Sequence, residues 1–397
     1  MIMLRPSRLA LIAPLAFVSL PGVAYAESDI RVSAEARADV GYSANPFSVS
    51  TGDTGTASAT LAIAPKVKLV NERSVFTLSA SAEYLRYFER YGDVGNYDVG
   101  LDYTGTPVEH VKTHFNVRYD SAIIGGNTQV FGVIDPTLPT LPVTSGTDLS
   151  LFGTRDRRET LRGTGDVTVE LSARDSLLVS GFYVRSRYGQ FAALGNNDGY
   201  GGSVGYSRVV SEHLRLGVQG SAAQYNYGGA LGDSRIYSVQ GAFSATLSAR
   251  WKADGAVGVS FVERSAFGNS TTFSGNLRLC NTTTRANFCL NASRAVLPTG
   301  ISGTQNETAV DASYSYRVTE HGSIFGTVGY TTNANNQLNV SGQNEYFRAS
   351  LGYEHVLRRN LRLVVGSQYR KILGGLAVSG ADYGGQVGVR VSFGDPR

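Results

Sequence analysis

Apolar and polar residues alternate one for one along most of this 397-residue chain, over runs longer than ordinary strands. In Asp98–Thr106, Val99, Leu101 and Tyr103 fall on one side and Asp98, Gly100, Asp102 and Thr104 on the other. Thr160–Ser172, Ile236–Ala249 and Thr308–Val318 repeat the pattern. A period of two puts successive side chains on opposite faces of a strand. Sandwich strands are usually about 5–6 residues long, whereas these runs have the length of tilted strands crossing a bilayer. The polar side carries full charges (Asp98, Asp102, Lys112, Arg118, Asp120, Arg162, Asp166, Glu170) that a dry core could not hold unpaired. A closed barrel with lipid outside and water inside satisfies both faces and leaves no open backbone edge. The expected fold is therefore all-β, a transmembrane antiparallel barrel.

Short polar turns punctuate the pattern: Asn71–Arg73, Pro107–His110, Ala173–Asp175, Ser211–His213, Arg250–Gly255, Thr319–His321 and Arg358–Asn360. They predict strands at 30–42, 57–70, 74–88, 96–106, 111–121, 159–172, 176–188, 199–210, 214–227, 235–249, 256–267, 306–318, 322–332, 345–357, 361–372 and 382–394. That makes about 16, or 14 if a hairpin containing Pro65 or the glycine-rich 199–210 is lost. An even count puts both termini on the periplasmic side, with short turns there and long loops outside. The two longest expected loops are Ala122–Arg158 and Gly268–Gln305. Residues 1–26 read as a cleaved secretory signal, with Arg5 and Arg8 before the apolar Leu9–Leu20 and Ala24-Tyr25-Ala26 at the cleavage site. Residues 27–397 then form a single domain in the bacterial outer membrane.

Composition narrows the chemistry. Charged residues are only 17% of the chain and the net charge is +4, which argues against a nucleic-acid partner. Cys280 and Cys289, nine apart in an exported chain, are expected to form a disulfide; no further Cys or His stands near enough in sequence to complete a metal site. Four of the five histidines follow a glutamate: Glu109-His110, Glu212-His213, Glu320-His321 and Glu354-His355. Adjacent strand residues face opposite ways, and the four pairs recur at or beside separate turns, so they read as polar turn markers. His114 is expected to face inward, beside Lys112, Asn116, Arg118 and Asp120 by parity, without the nucleophile and third group that hydrolysis needs. The chain is not expected to be an enzyme or to need a metal or cofactor.

The inward charges carry more. Arg37, Asp39, Asp98, Asp102, Lys112, His114, Arg118, Arg162, Asp166, Glu170, Arg185, Arg187, Arg317, Arg362, Arg370 and Arg390 are the candidate pore-lining residues. Such walls can select small polar solutes, or the charges can simply pair and fill the wall. The proline-bearing loop Ala122–Arg158 can fold inward as a constriction or plug or stay at the surface, and Arg155, Arg157 and Arg158 are expected either to line its base or to meet lipopolysaccharide phosphates. Tyrosines and phenylalanines near strand ends, among them Tyr84, Tyr87, Phe88, Tyr91, Tyr225, Tyr227, Tyr314, Tyr316, Tyr346 and Phe347, suit aromatic girdles. The last strand, with Gln386, Gly388, Val391 and Phe393, looks like the C-terminal signal read by the barrel-assembly machinery, except that Gly394–Arg397 follow the phenylalanine.

The stretch from Gly41 to Val70, then "LSASAEYLRYF" and "NYDVGLDYTG", resembles the type 2 family of β-barrel porins, in which an asparagine motif closes the first strand, here Asn45-Pro46-Phe47. The resemblance is one of layout over the mature chain. It implies an association with exopolysaccharide or capsule systems and no catalytic residues. Together these features lead to an aqueous pore serving polysaccharide export. The alternatives are a general small-solute pore and a closed structural or adhesive barrel acting through its loops. Outer-membrane lipid, lipopolysaccharide and the assembly machinery are the expected partners, and a homo-oligomer is left open.

Overall fold

A computed structural model describes residues 29–49, 54–124, 155–189, 195–227, 232–265, 268–300, 303–334, 343–374 and 380–394. The expected signal segment 1–26 and most of the expected loop Ala122–Arg158 lie outside these. The strands are β1 (Asp29–Ser43), β2 (Thr56–Asn71), β3 (Ser74–Tyr87), β4 (Asp93–Val108), β5 (Val111–Ile123), β6 (Arg157–Glu170), β7 (Asp175–Tyr188), β8 (Asn197–Ser211) and β9 (Leu214–Tyr227). They continue as β10 (Ser234–Thr246), β11 (Trp251–Arg264), β12 (Ser270–Thr282), β13 (Ala286–Thr299), β14 (Gly303–Arg317), β15 (Gly322–Ala334), β16 (Gln343–Arg358), β17 (Leu361–Gly374) and β18 (Asp382–Gly394). All 18 form one antiparallel sheet in sequence order, and β1 closes it by pairing with both β2 and β18.

The expected 16 strands become 18 because Gly268–Gln305 is not a loop. It forms the hairpin β12–β13, turning at 283–285. Its Asn and Thr content reads as loop, yet Phe273 and Leu277 alternate with Ser274, Asn276 and Arg278, and both apolar side chains are exposed on the outer face. The turn expected at Arg250–Gly255 also moves: Trp251 already opens β11, and the chain reverses through 247–250.

Pro65 sits inside β2 at a small local cost. Its pairing with Ala34 of β1 holds, while the β2–β3 register skips from Ile63↔Ala82 to Lys66↔Ser79. Proline has no N–H to give a ladder on both sides. Gly388 is fixed by its neighbour: it lies opposite Asp39, and a Cβ there would overlap the Asp39 carboxylate and the Ala38 carbonyl.

Cys280 and Cys289 are bonded, as their spacing suggests, and they are direct register partners on β12 and β13. The bridge therefore staples a hairpin already held by its ladder. Replacing both cysteines by alanine should leave the barrel closed and lower its unfolding free energy by about 2 kcal/mol, the scale for a short closed loop. The measurement is the denaturant midpoint of the two proteins side by side, and loss of the closed form would show that the bridge is needed for closure.

Candidate functional site

The two faces of the sheet differ in kind. Exposed Val40, Leu61, Ile63, Val99, Phe115, Val167, Val204, Val239, Val257, Val310, Leu351 and Val387 share the outer face. Side chains of the other parity reach past a neighbouring strand: Arg37 on β1 meets Glu83 on β3 at 2.7 Å, and Arg348 on β16 meets Asp311 on β14 at 2.7 Å. Only the concave side of a closed sheet brings such positions together. Most candidate charges lie on this inner side, as ion pairs. Arg37 also meets Asp39 (2.7 Å), Arg118 meets Asp98 (2.9 Å), Lys112 meets Glu170 (2.6 Å), and Arg362 and Arg390 both approach Glu354 (3.3 and 3.7 Å). Arg162 and Arg317 share that side, with Asp120 lying beside Arg162 two residues along the neighbouring strand. Arg185 and Arg187 do not. Their register partners are Leu161 and Glu159, on the side of exposed Tyr183, and they bind Asp198 there. The sequence pattern misled because "RSRY" keeps strict alternation while exchanging which parity is polar.

The end of the barrel carrying the longer connections is narrowed from one wall by the segment after β1. Phe47 is 2% exposed and packs with Leu85, Tyr87 and Val94. Its ring lies 5.7 Å from Tyr87 and 4.7 Å from Tyr91, and the Arg155 guanidinium sits over Phe47 and Tyr91 at 5.4 and 5.5 Å. What holds this segment in place is a buried carboxylate. Asp382, 0% exposed, accepts from Arg370 Nε (2.8 Å), Ser43 Oγ (2.6 Å) and the Asn45 backbone N–H (2.8 Å). Arg370 also donates to the carbonyls of Asn45 and Pro46. Asn45 completes the turn, donating to the Val49 carbonyl at 2.9 Å and accepting from the Val49 N–H at 2.9 Å. The Asn45-Pro46-Phe47 motif is thus the inward anchor of the first connection, and Arg370 is its brace.

The tip of β13–β14 narrows the same end from the opposite wall. β12 pairs with β13 only up to Gly275↔Arg294, and β15 pairs with β14 only from Asn306, while β13 and β14 stay paired to Thr299↔Gly303. Freed on both sides, residues 295–300 and 303–305 turn into the barrel. Val296 packs on inward-facing Ile236 and Val262, and the last is 1% exposed. Tyr227 Oη donates to the Gly303 carbonyl, Arg264 Nε donates to Thr304 Oγ1 at 2.9 Å, and Gly195 N–H donates to the Gly300 carbonyl at 2.6 Å. Several tyrosines assigned to girdles face inward instead: Tyr225 and Tyr227 lie against this tip, Tyr87 packs with Phe47, and Tyr346 packs with Ile372. Exposed Tyr84, Tyr97, Tyr183, Tyr200, Trp251, Tyr314 and Phe393 remain on the outside.

Near the other end, His114 stands between two carboxylates: Nε2 lies 2.9 Å from Asp102 Oδ2 and Nδ1 lies 3.0 Å from Asp166 Oδ1. Parity along one strand could not show this, because Asp166 is the direct register partner on β6 and Asp102 a diagonal neighbour on β4. The Glu-His pairs do not gather into a site. The pairs at 109–110, 212–213 and 320–321 sit in exposed turns. Glu354 points to Arg362 while His355 bonds Tyr353 on the other face. On the last strand, Gln386 and Gly388 share the side of buried Arg390, and Val391 and Phe393 the opposite one.

No protein-family model matches the chain, and no curated protein matches it either. Solved structures do. A BenF-like porin from Pseudomonas fluorescens Pf-5 superposes with a TM-score of 0.50 at 10% identity, covering 92% of this chain and 99% of that one. The fold is that of a porin barrel. Pseudomonas aeruginosa OccK2 (OpdF) in complex with glucuronate gives 0.49 at 12% identity, covering 92% and 98%. OpdQ of the same organism gives 0.48 at 9% identity, with the same coverage.

In this porin-like barrel, Asp382→Ala should strip a buried arginine of its counter-charge and leave the Asn45 N–H without an acceptor. The expected cost is about 3–5 kcal/mol, the scale for breaking a buried pair from one side, measured by denaturant unfolding of the purified barrel. A cost below about 1 kcal/mol would mean that the inward segment is not held by this carboxylate.

Proposed function

We propose that the protein is an outer-membrane barrel whose lumen passes small polar solutes. The observation that carries this is the split between faces: apolar side chains exposed all round the outside, ion-paired and hydroxyl side chains inside. A soluble protein would not expose so continuous an apolar surface, and a barrel filled by a dry core would not hold these charges. The exposed apolar belt fits lipid, with the tyrosines and Trp251 near its borders as interface anchors.

Small solutes are favoured over a polysaccharide chain. Two segments, one after β1 and one at the tip of β13–β14, reduce the opening from opposite walls. A narrowed polar passage lined by paired charges and hydroxyls suits compact polar molecules. The association with polysaccharide export rests on the resemblance to type 2 porins alone. Removal of residues 1–26 on export, a single barrel domain from residue 27, periplasmic termini and recognition of the last strand by the assembly machinery complete the proposal, with lipopolysaccharide around the outer rim.

Planar bilayers and liposomes test it. Purified barrel should give stable ionic conductance, and liposomes containing it should swell in small sugars or amino acids and not in dextran. A silent barrel would overturn the pore, and swelling in dextran would restore the polysaccharide reading.

A further inference from the structure

Both ring nitrogens of His114 face carboxylate oxygens, Asp102 at 2.9 Å and Asp166 at 3.0 Å. A neutral imidazole has one N–H and one lone pair, so only the imidazolium can donate to both. Without its second proton, a ring lone pair would confront a carboxylate, and that hydrogen bond would be lost.

The surrounding charges leave the two aspartates dependent on this histidine. On β5, Lys112 is held by Glu170 of β6 at 2.6 Å, and Arg118 by Asp98 of β4 at 2.9 Å. Arg162, the remaining inward charge of β6 near the group, lies four residues beyond Asp166. The inward neighbours on the flanking strands are uncharged: Thr77 of β3 opposite Asp102, and Ser180 of β7 opposite Asp166. Asn116 adds only a 3.4 Å contact to Asp102. Among the described residues, His114 is the one cationic group within ion-pair distance of either aspartate. All three side chains remain partly exposed on the inner wall, at 23%, 42% and 36%.

We propose that Asp102–His114–Asp166 is a selectivity-setting site that makes the passage more cation-selective as pH rises. With imidazolium the group carries one net negative charge. With neutral imidazole it carries two, and one carboxylate is released to face the lumen and a passing cation. The inference rests on the barrel being an open pore.

The test is the reversal potential of the full-length barrel in planar bilayers under a KCl gradient, at about 0.1 M salt so that screening is limited. It is read from about pH 5.5 to about pH 8, across the range where histidine titrates. The wild type should gain cation preference over that range, on the order of two-fold in the permeability ratio. His114→Asn should hold the high-pH selectivity throughout. As a control for the four other histidines, a variant with His110, His213, His321 and His355 all changed to Asn should keep the wild-type shift. A shift that survives in His114→Asn, or vanishes in the four-histidine variant, overturns the site even if the first variant folds poorly. Conductance with pH-independent selectivity overturns the site and leaves the pore standing. Silence at every pH overturns both.

Discussion

Pairing of β1 with β18 is the interaction on which everything else depends. In hydrocarbon an unpaired backbone N–H or C=O costs several kcal/mol, so a sheet can cross only if it has no edge. Eleven consecutive register pairs, from Ser33↔Gly394 to Ser43↔Gly384, remove that edge. Closure also makes an inside. Once the ladder is complete, each strand must offer lipid one parity and the lumen the other, and the alternating sequence follows from that demand. The seam is close-packed: Gly388 leaves room for Asp39, which turns toward Arg37.

The interior is built from departures from the ladder. Where β13 and β14 outrun their neighbours, at Arg294 and Asn306, the hairpin is released and folds inward. Where the chain leaves β1, Asp382 and Arg370 draw Asn45–Phe47 in from the facing wall. Each device satisfies backbone groups that a loop at the mouth would otherwise offer to water. Both use buried polar side chains, the pattern expected of groups that fix one conformation.

The architecture was legible from the sequence because period two survives nearly everywhere, and a strand needs little else to be recognised. The extra hairpin β12–β13 was not, because its polar residues resemble a loop and its apolar side is thin, with Phe273 and Leu277 the only exposed large apolar side chains among its first eight residues. Parity could be misassigned where both sides carry mixed residues, as at Arg185 and Arg187. The His114 arrangement required register between strands, which no single strand's spacing reveals. The anchoring of Asn45 needed more still, since Asp382 lies 337 residues away. The resemblance had pointed to that asparagine without giving it a partner.

The central claim is that one face of each strand meets lipid and the other meets water. Single cysteines placed in turn at Arg215, Leu216, Val218, Gln219 and Ser221 of β9 and spin-labelled in lipid vesicles test it directly, since both native cysteines are already bonded. Collision with oxygen should be high at 216 and 218, and collision with an aqueous nickel reagent high at 215, 219 and 221. Labels that meet water at all five positions, or that show no period of two, would contradict the account.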